Sequence, residues 1–247
     1  MLYKAKTLKG YQLNSLDGDI GNIEEFYFDD QFWTIRYLVA NAGTWLTGRQ
    51  VLISPYALVA VNQDRKDIAI HLSQQQIEDS PSLTSHKPVS KQFEQEYYQY
   101  YGWPLYWDGP YMWGYYPTIE RDSTKWNAPS HIQKDWDPHL RSTIAVSGYH
   151  VHALDGEMGH IDDFIIDDET WTIRYLVLAT QNWWPGKDVL ISPEWIERID
   201  WSQSTIYVNL YKANIKESPE YSAKMLLDRA YEVRVHRHYE RQGYWDN

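Results

Sequence analysis

Apolar and polar residues alternate along residues 33–40, which predicts a β-strand. Trp33, Ile35, Tyr37 and Val39 share one face of that strand, because successive side chains of a strand point to opposite faces. We expect this face to form one side of a core. The turn-forming residues just before the strand predict a hairpin loop after an earlier strand. Further short apolar runs predict strands at 51–53, 58–61 and 68–72.

The pattern of the first part of the chain returns 138 residues later, as an internal duplication. Residues 171–177 repeat residues 33–39 without a change, and 24 of the 46 positions from 10 to 55 are identical to their counterparts. A repeat of this length corresponds to a whole domain rather than to one element of a solenoid. The predicted organisation is therefore a first unit at 1–109, an insert at 110–143 and a second unit at 144–247.

Each unit is predicted to end in a short helix and an aromatic tail. Residues 88–101 and 226–240 contain few turn formers, and Ser90 and Asp228 are suitable N-cap residues. The insert opens with an aromatic stretch and continues as a polar linker that contains proline.

Tryptophan and tyrosine are concentrated at the end of the first unit. The chain has 13 Trp and 21 Tyr, and eleven of the twenty residues from 97 to 116 are one or the other. Because large exposed apolar patches are rare on monomers, we expect this stretch to pack on a barrel of the same chain or of a second copy in a homodimer. A protein or carbohydrate contact is the alternative. The candidate interaction surface comprises Trp103, Tyr106, Trp107, Tyr111, Trp113, Tyr115, Tyr116, Tyr244 and Trp245.

The charge and the missing cysteines exclude several classes of function. The net charge of −11 is spread along the chain, so neither the basic footprint of a nucleic-acid-binding protein nor a polybasic membrane patch is present. The chain has no cysteine, which excludes thiol catalysis, disulfides and thiolate metal sites. It also has no apolar run long enough for a membrane span and no signal-peptide pattern. We therefore expect a soluble, cytoplasmic protein that does not bind nucleic acid.

Arg36 and Arg174 lie in the middle of the apolar strands of the two units. Because a buried guanidinium needs partners, the favoured interpretation is an ion pair with the nearby aspartates at 29–30 and 167–168. An anion-binding site is the alternative interpretation.

Histidines are more frequent in the second unit. His150 and His152 would share one face of a strand and could hold a metal ion together. Their counterparts in the first unit are Gln12 and Asn14, so surface polar positions are the favoured interpretation for the histidines, including His236. The chain has no phosphate-binding loop, nucleophile elbow or metalloprotease motif. We therefore predict no catalytic residue, no metal and no cofactor.

The repeated strand-turn-strand block resembles the PRC-barrel domain, the small β-barrel of the photosynthetic reaction-centre H subunit that also occurs in a ribosome-maturation factor. The matching residues are Gly18, Gly21, Ile23, Arg36, Tyr37, Leu38, Val39, Ile53, Ser54 and Pro55, with their counterparts 138 residues later. The resemblance implies an all-β fold of two tandem small antiparallel PRC-type β-barrels, each followed here by a short helix and an aromatic tail. It also implies a module used for assembly rather than for catalysis.

Two functional hypotheses follow from these observations. The first is a non-catalytic binding or assembly protein that contacts another protein, whose identity the sequence leaves open. The second is a small-ligand sensor or an enzyme with a site at the junction of the two barrels.

Overall fold

The computed structural model describes residues 1–43, 46, 48–81, 89–107, 119, 124, 140–180, 187–222, 225 and 227–246. Tyr111, Trp113, Tyr115 and Tyr116 of the candidate surface lie outside these ranges. As predicted, the described chain is mostly β-structure with few helices. The strands are β1 (Leu2–Lys4), β2 (Gln12–Asn14), β3 (Asp19–Asp29), β4 (Ile35–Asn41), β5 (Gln50–Ile53), β6 (Leu58–Asn62), β7 (Asp67–Ile70), β8 (Leu140–Ser142), β9 (His150–Ala153), β10 (Gly156–Asp167), β11 (Ile173–Ala179), β12 (Asp188–Ile191), β13 (Ile196–Asp200) and β14 (Thr205–Val208). The helices are α1 (Ala5–Leu8), α2 (Gln74–Glu78), α3 (Lys91–Tyr101), α4 (Thr143–Val146), α5 (Lys212–Glu217) and α6 (Arg229–His238).

The strands form two sheets with the same order of equivalent strands. The first sheet has the order β5-β4-β3-β2-β7-β6, and the second has the order β12-β11-β10-β9-β14-β13. Neighbouring strands along these orders are antiparallel, except for the parallel pairs β2–β7 and β9–β14. Within the described part of the chain neither sheet closes on itself. The prediction of closed, purely antiparallel barrels is therefore wrong in both respects, because the sheets are open and mixed.

A short 3-10 turn at Pro55–Ala57 connects β5 to β6 in the mixed sheet. The strand directions require β5 and β6 to run in the same sense, so the turn between them is not a hairpin. The Ser54 side chain accepts a hydrogen bond from the backbone of Tyr56, and a proline occupies the start of the turn, where its fixed φ is favourable. The second repeat has the same turn at Pro193–Trp195. Alternation along a sequence identifies a strand but carries no information about its direction.

Backbone conformation and lack of space explain why glycine is repeated at positions 21 and 159. Both glycines have positive φ values, 131° and 142°. A Cβ added at Gly21 would collide with the backbone carbonyl of Asn41, and one added at Gly159 would collide with that of Ala179. Glycine is therefore needed at these positions of β3 and β10, where a side chain would clash with the backbone of the neighbouring strand.

β1 and β8 each pair with the sheet formed mainly by the other repeat. β8 lies in the predicted insert, 138 residues after β1. β1 pairs with β10, whereas β8 pairs with β3 and places Arg141 opposite Phe28. One compact unit accordingly contains residues 1–4, 144–166 and 173–247, and the other contains residues 5–143 and 167–172. These units follow strand pairing. The division at 109 and 143 follows the sequence repeat and stays a prediction.

The four residues of the predicted core face are buried, but they do not share one face of the strand. Ile35 lies opposite Phe28 and Tyr37 lies opposite Tyr27, so Ile35 and Tyr37 point to opposite faces, and the prediction of a single shared face is wrong. Trp33, Ile35, Tyr37 and Val39 have almost no exposed surface, and neither has Leu38 between them. β4 is thus a central strand covered on both sides, which agrees with its nearly continuous apolar sequence.

The two predicted helices are present, and each begins after its predicted cap. The Ser90 side chain accepts a hydrogen bond from the backbone of Phe93 at the start of α3, and the Asp228 side chain accepts one from the backbone of Tyr231 at the start of α6. α3 ends at Gly102, which adopts the left-handed conformation that glycine accepts without strain.

Proline substitutions at equivalent positions test the pairing of β1 with β10 and of β8 with β3, which we call the strand exchange. We expect Tyr3→Pro to accelerate amide hydrogen exchange in β10, and Arg141→Pro to accelerate it in β3, by roughly tenfold or more, because proline interferes with strand pairing. Hydrogen exchange followed by mass spectrometry measures both effects. Faster exchange confined to the sheet of the substituted strand's own repeat would contradict the pairing.

Truncation of Ile35, which is 0% exposed, tests the assignment of the core. Ile35→Ala should lower the free energy of unfolding by about 2–5 kcal/mol, because it leaves a cavity in a packed region. Val59→Ala is the control, since Val59 is 67% exposed and its truncation should change stability by less than about 0.5 kcal/mol. Urea denaturation measures both, and equal effects would refute the assignment.

Candidate functional site

A cluster of buried tyrosines joins α3 and the aromatic tail to the first sheet. Tyr37 comes from β4, Tyr97 and Tyr98 come from α3, and Tyr106 comes from the tail. The Tyr97 hydroxyl donates a hydrogen bond to the carbonyl oxygen of Leu52 at 2.9 Å, which ties the helix to β5. Tyr106 is 0% exposed, so this member of the candidate interaction surface lies inside the protein.

A β-bulge turns Arg36 out of the alternation of its strand. Tyr37 lies opposite Tyr27 and Ile35 lies opposite Phe28, so Arg36 is an extra residue with no partner of its own on β3. A bulge of this kind re-aims a side chain. The second repeat has the same interruption at Arg174. Strict alternation would place each arginine on the opposite face from the tyrosine that follows it.

Arg36 is fully buried and is held by a carboxylate and a ring. Its Nε lies 2.7 Å from Oδ2 of Asp29, and its guanidinium lies 4.1 Å from the centre of the Tyr106 ring. Asp29 is also fully buried and accepts a hydrogen bond from the backbone N–H of Phe32. The predicted structural ion pair is therefore confirmed for Arg36. Stacking on Tyr106 adds a cation–π contact that a buried guanidinium favours.

Glu94 connects the strand, the helix and the tail. Its Oε1 accepts hydrogen bonds from the hydroxyls of Tyr37 and Tyr106, each at 2.9 Å. Glu94 is only 2% exposed, and burial raises the pKa of its carboxyl to about 7. The two hydrogen bonds and the nearby Arg36 oppose this rise in pKa, because they favour the charged form.

The second repeat has the same arrangement of a strand arginine, a helix glutamate and a tail tyrosine. Oε1 of Glu232 accepts hydrogen bonds from Tyr175 at 3.0 Å and from Tyr244 at 2.8 Å. The guanidinium of Arg174 lies 4.0 Å from the centre of the Tyr244 ring. Glu232 also forms an ion pair with Arg229, whereas the position of Arg229 in the first repeat is Lys91. Tyr106 and Tyr244 thus anchor the two tails, which explains why the tail belongs to the repeat.

The tryptophans that follow these tyrosines are partly exposed. Trp107 packs edge-on against Tyr98 at 6.2 Å. Trp245 lies under the guanidinium of Arg229 at 4.2 Å and beside His236 at 4.9 Å. Both rings contact residues of the preceding helix.

An open groove of about 600 Å³ lies beside Trp103 in the first repeat. Trp103 is partly exposed and stands between two tyrosines, with its ring centre 4.4 Å from that of Tyr101 and 5.8 Å from that of Tyr56. The hydroxyl of Tyr101, like that of its neighbour Tyr100, donates to the backbone carbonyl of Gln76. The groove is lined by Tyr56, Ala57, Leu58, Val59, His71, Leu72, Gln76, Tyr101 and Trp103.

The equivalent positions of the second repeat are far more polar. Of the nine lining residues, only Leu72 and Tyr101 return unchanged. The counterparts of Tyr56, Val59, His71, Gln76 and Trp103 are Glu194, Glu197, Asn209, Asn214 and Arg241.

In both repeats a tryptophan packs against two equivalent residues of the helix, but the tryptophan comes from a different segment in each repeat. In the first repeat Trp103 comes from the tail and packs against Tyr98 and Tyr101. In the second repeat Trp195 comes from the 3-10 turn and packs against His236 and Tyr239, the counterparts of those two tyrosines. Ala57 stands at the position of Trp195. Because alanine is much smaller than tryptophan, the first repeat has less side-chain volume on the side of the groove formed by the 3-10 turn.

Sequence reasoning identified Trp103 but missed the residues that complete the groove. Val59, His71 and Gln76 are unremarkable in the first repeat alone. A comparison of the two repeats at positions such as Val59 and Glu197 would have drawn attention to them, because the fold is shared and the polarity is not.

The histidines of the second repeat have separate structural roles. His150 is exposed and its Nδ1 lies 2.8 Å from Oε1 of Glu157. His236 is buried, and its two ring nitrogens contact the hydroxyl of Tyr175 and the carbonyl of Gln242. The surface position expected for His236 is therefore wrong. Within the described ranges, no group of three or more His, Asp or Glu side chains could hold a metal ion.

Comparisons with known proteins add no identification. No protein-family model matches the chain, and no curated protein matches it in sequence. In the part of the chain that the structure describes, no helix has the length and apolarity needed to cross a membrane.

The raised pKa of Glu94 predicts a specific pH dependence of stability. Its folded-state value of about 7 lies above the ordinary 4.5, so its stabilising contribution is fully present below about pH 4.5 and is lost as pH rises through about 7. Between pH 5 and 8 this should lower the free energy of unfolding by roughly 2–3 kcal/mol relative to Glu94→Gln. Urea denaturation at several pH values measures the difference. Glu96→Gln on the exposed side of α3 is the matched control, and an equal effect of both substitutions would contradict the assignment.

Proposed function

We propose that this protein is a non-catalytic binding or assembly protein built from two PRC-type domains, and that the first repeat carries its site for another protein. The repeated motif that resembles the PRC-barrel domain supports the family assignment. The equal strand order of the two sheets supports a shared domain type. The groove beside Trp103 supports the binding role.

The observation that carries the proposal is the difference between the two repeats at one place in a shared fold. The second repeat maintains the fold with Glu197 and Arg241 at the positions of Val59 and Trp103, so the fold does not require apolar residues at these two positions. The first repeat nevertheless has Val59, which is exposed, and Trp103, which is partly exposed. Exposed apolar residues that folding does not require are expected where a partner covers them.

The composition of the groove favours a protein partner. Tyrosine and tryptophan are enriched at the centres of protein interfaces, where they bury a large area with few rotatable bonds. The groove volume of about 600 Å³ is that of a typical binding pocket. The exposed Val59 lines the groove, and the exposed Ala60 follows it on β6.

The buried network beneath the groove has a positioning role in this proposal. Glu94 and Tyr97 fix α3 to the sheet. Tyr101 lies one turn after Tyr97 on the same side of the helix, and their ring centres are 4.9 Å apart. Tyr101 forms a wall of the groove. The network therefore holds that wall in place without touching a ligand.

Site-specific photo-crosslinking in cells of the source organism tests the proposal. A photoreactive residue at Ala60, next to the groove, should capture a polypeptide. The same residue at Arg198, the equivalent position of the second repeat, should not. Ala57→Trp, which fills the turn side of the groove, should remove the crosslink.

Val59→Glu provides a second test that does not disturb the core, because Val59 is exposed and its counterpart is Glu197. Circular dichroism establishes that both variants are folded. A crosslink that survives Ala57→Trp and Val59→Glu, or no protein captured from Ala60, would refute the proposed role of the groove.

A further inference from the structure

The acidic residues at the end of α2 distinguish the two repeats in charge. Gln76 lines the groove, and Glu78 and Asp79 follow it with exposed side chains. Asp79 is close enough to Tyr100 to contribute, after burial, to the raised pKa of that hydroxyl. Asp79 therefore lies on the same side of the first repeat as Tyr100 and the aromatic wall, and Glu78 precedes it at the end of α2.

A basic residue lies near the end of this helix in both repeats, so it does not account for their difference in charge. Arg49 donates hydrogen bonds to the backbone carbonyls of Glu78 and Ser80. Lys187, its counterpart, donates to the backbone carbonyl of Lys216. These contacts use carbonyl oxygens of the chain.

The side chains next to that basic residue decide the sign of the local charge. The first repeat has Glu78 and Asp79, whereas the second has Lys216 and Glu217. With Arg49 or Lys187 included, the first repeat has a net negative rim and the second has a net positive one. The negative rim therefore occurs in the repeat that has the apolar groove.

We propose that the groove of the first repeat binds a protein segment in which a large apolar side chain is flanked by lysine or arginine. This inference rests on the proposed function and names the chemistry of the partner. The apolar side chain contacts Tyr56, Val59 and Trp103, and the basic flanks face Glu78 and Asp79. Opposite charges at the edge of an apolar contact increase the rate and the specificity of association.

A second copy of this chain fits the groove less well. The chain carries a net charge of −11, so two copies repel each other at an acidic rim. Dimerisation through the groove is accordingly an outcome that would overturn the proposal.

Two capped pentapeptides test the proposal with the full-length protein. Gly-Lys-Trp-Lys-Gly and Gly-Glu-Trp-Glu-Gly share the same apolar anchor and differ in the sign of their flanks. Titration of ¹⁵N-labelled protein, followed by NMR chemical-shift changes, measures both the affinity and the location of binding. We expect the lysine peptide to shift the amides of Val59 and His71 and to bind about 5-fold or more tightly than the glutamate peptide.

Matched variants assign the preference to the rim and the contact to the groove. Glu78→Gln combined with Asp79→Asn should abolish the preference for the lysine peptide. Val59→Glu should weaken binding of the neutral anchor Gly-Gly-Trp-Gly-Gly by about 10-fold. Lys216→Gln combined with Glu217→Gln, at the same positions of the second repeat, should change neither result.

The outcomes separate this inference from the proposed function. Equal binding of the two charged peptides at the groove would overturn the charge preference alone, as would a failure of both to bind while the crosslink from Ala60 persists. Absence of any groove-dependent crosslink would overturn the proposed function as well. A dimer in sedimentation experiments that Val59→Glu dissociates would show that the groove binds a second copy.

Discussion

A guanidinium buried in the middle of an apolar strand is the constraint on which the rest of the first repeat depends. Arg36 cannot remain uncompensated in the interior, where an isolated charge is strongly unfavourable. Asp29, at the end of β3, supplies the charge, and Tyr106, in the tail, supplies the covering ring. The hairpin between the two strands and the return of the tail are therefore coupled to one side chain. The repeated Arg174 and Tyr244 contact indicates that the same coupling operates twice in the chain.

Glu94 extends this coupling to the helix. It accepts hydrogen bonds from the strand and from the tail at once, so α3 is held at both. The helix then presents Tyr101 to the groove. On the inner side of the helix Glu94 and Tyr101 recur as Glu232 and Tyr239, whereas the outer surface differs in polarity and charge. Similar internal contacts can thus support a binding surface in one repeat and a polar surface in the other, because surface residues contribute little to fold stability.

Because β1 and β8 pair with the sheet of the other repeat, the two compact units do not coincide with the two sequence repeats. The predicted strands recur in both sheets, yet β1 and β8, which were not predicted, each complete a sheet formed mainly by the other repeat. A short strand forms backbone hydrogen bonds with whichever strand edge lies near it. Both β3 and β10 provide such an edge, because the two sheets have the same strand order. The sequence repeat therefore defines the pattern of elements without defining which copy of an element pairs with which sheet.

The sequence by itself determined strands β3 to β7 and their counterparts, the caps at Ser90 and Asp228, the burial of Ile35, and the need of Arg36 for a carboxylate. These features depend on local periodicity, on capping chemistry and on the energetic cost of a buried charge, all of which can be evaluated from neighbouring residues. Only the tertiary structure decided the parallel pairing of β2 with β7, the bulge at Arg36, the strand exchange and the groove beside Trp103. Each of these depends on residues distant in sequence meeting in one register, and a bulge or a change of strand partner alters that register without altering the local pattern of apolar residues.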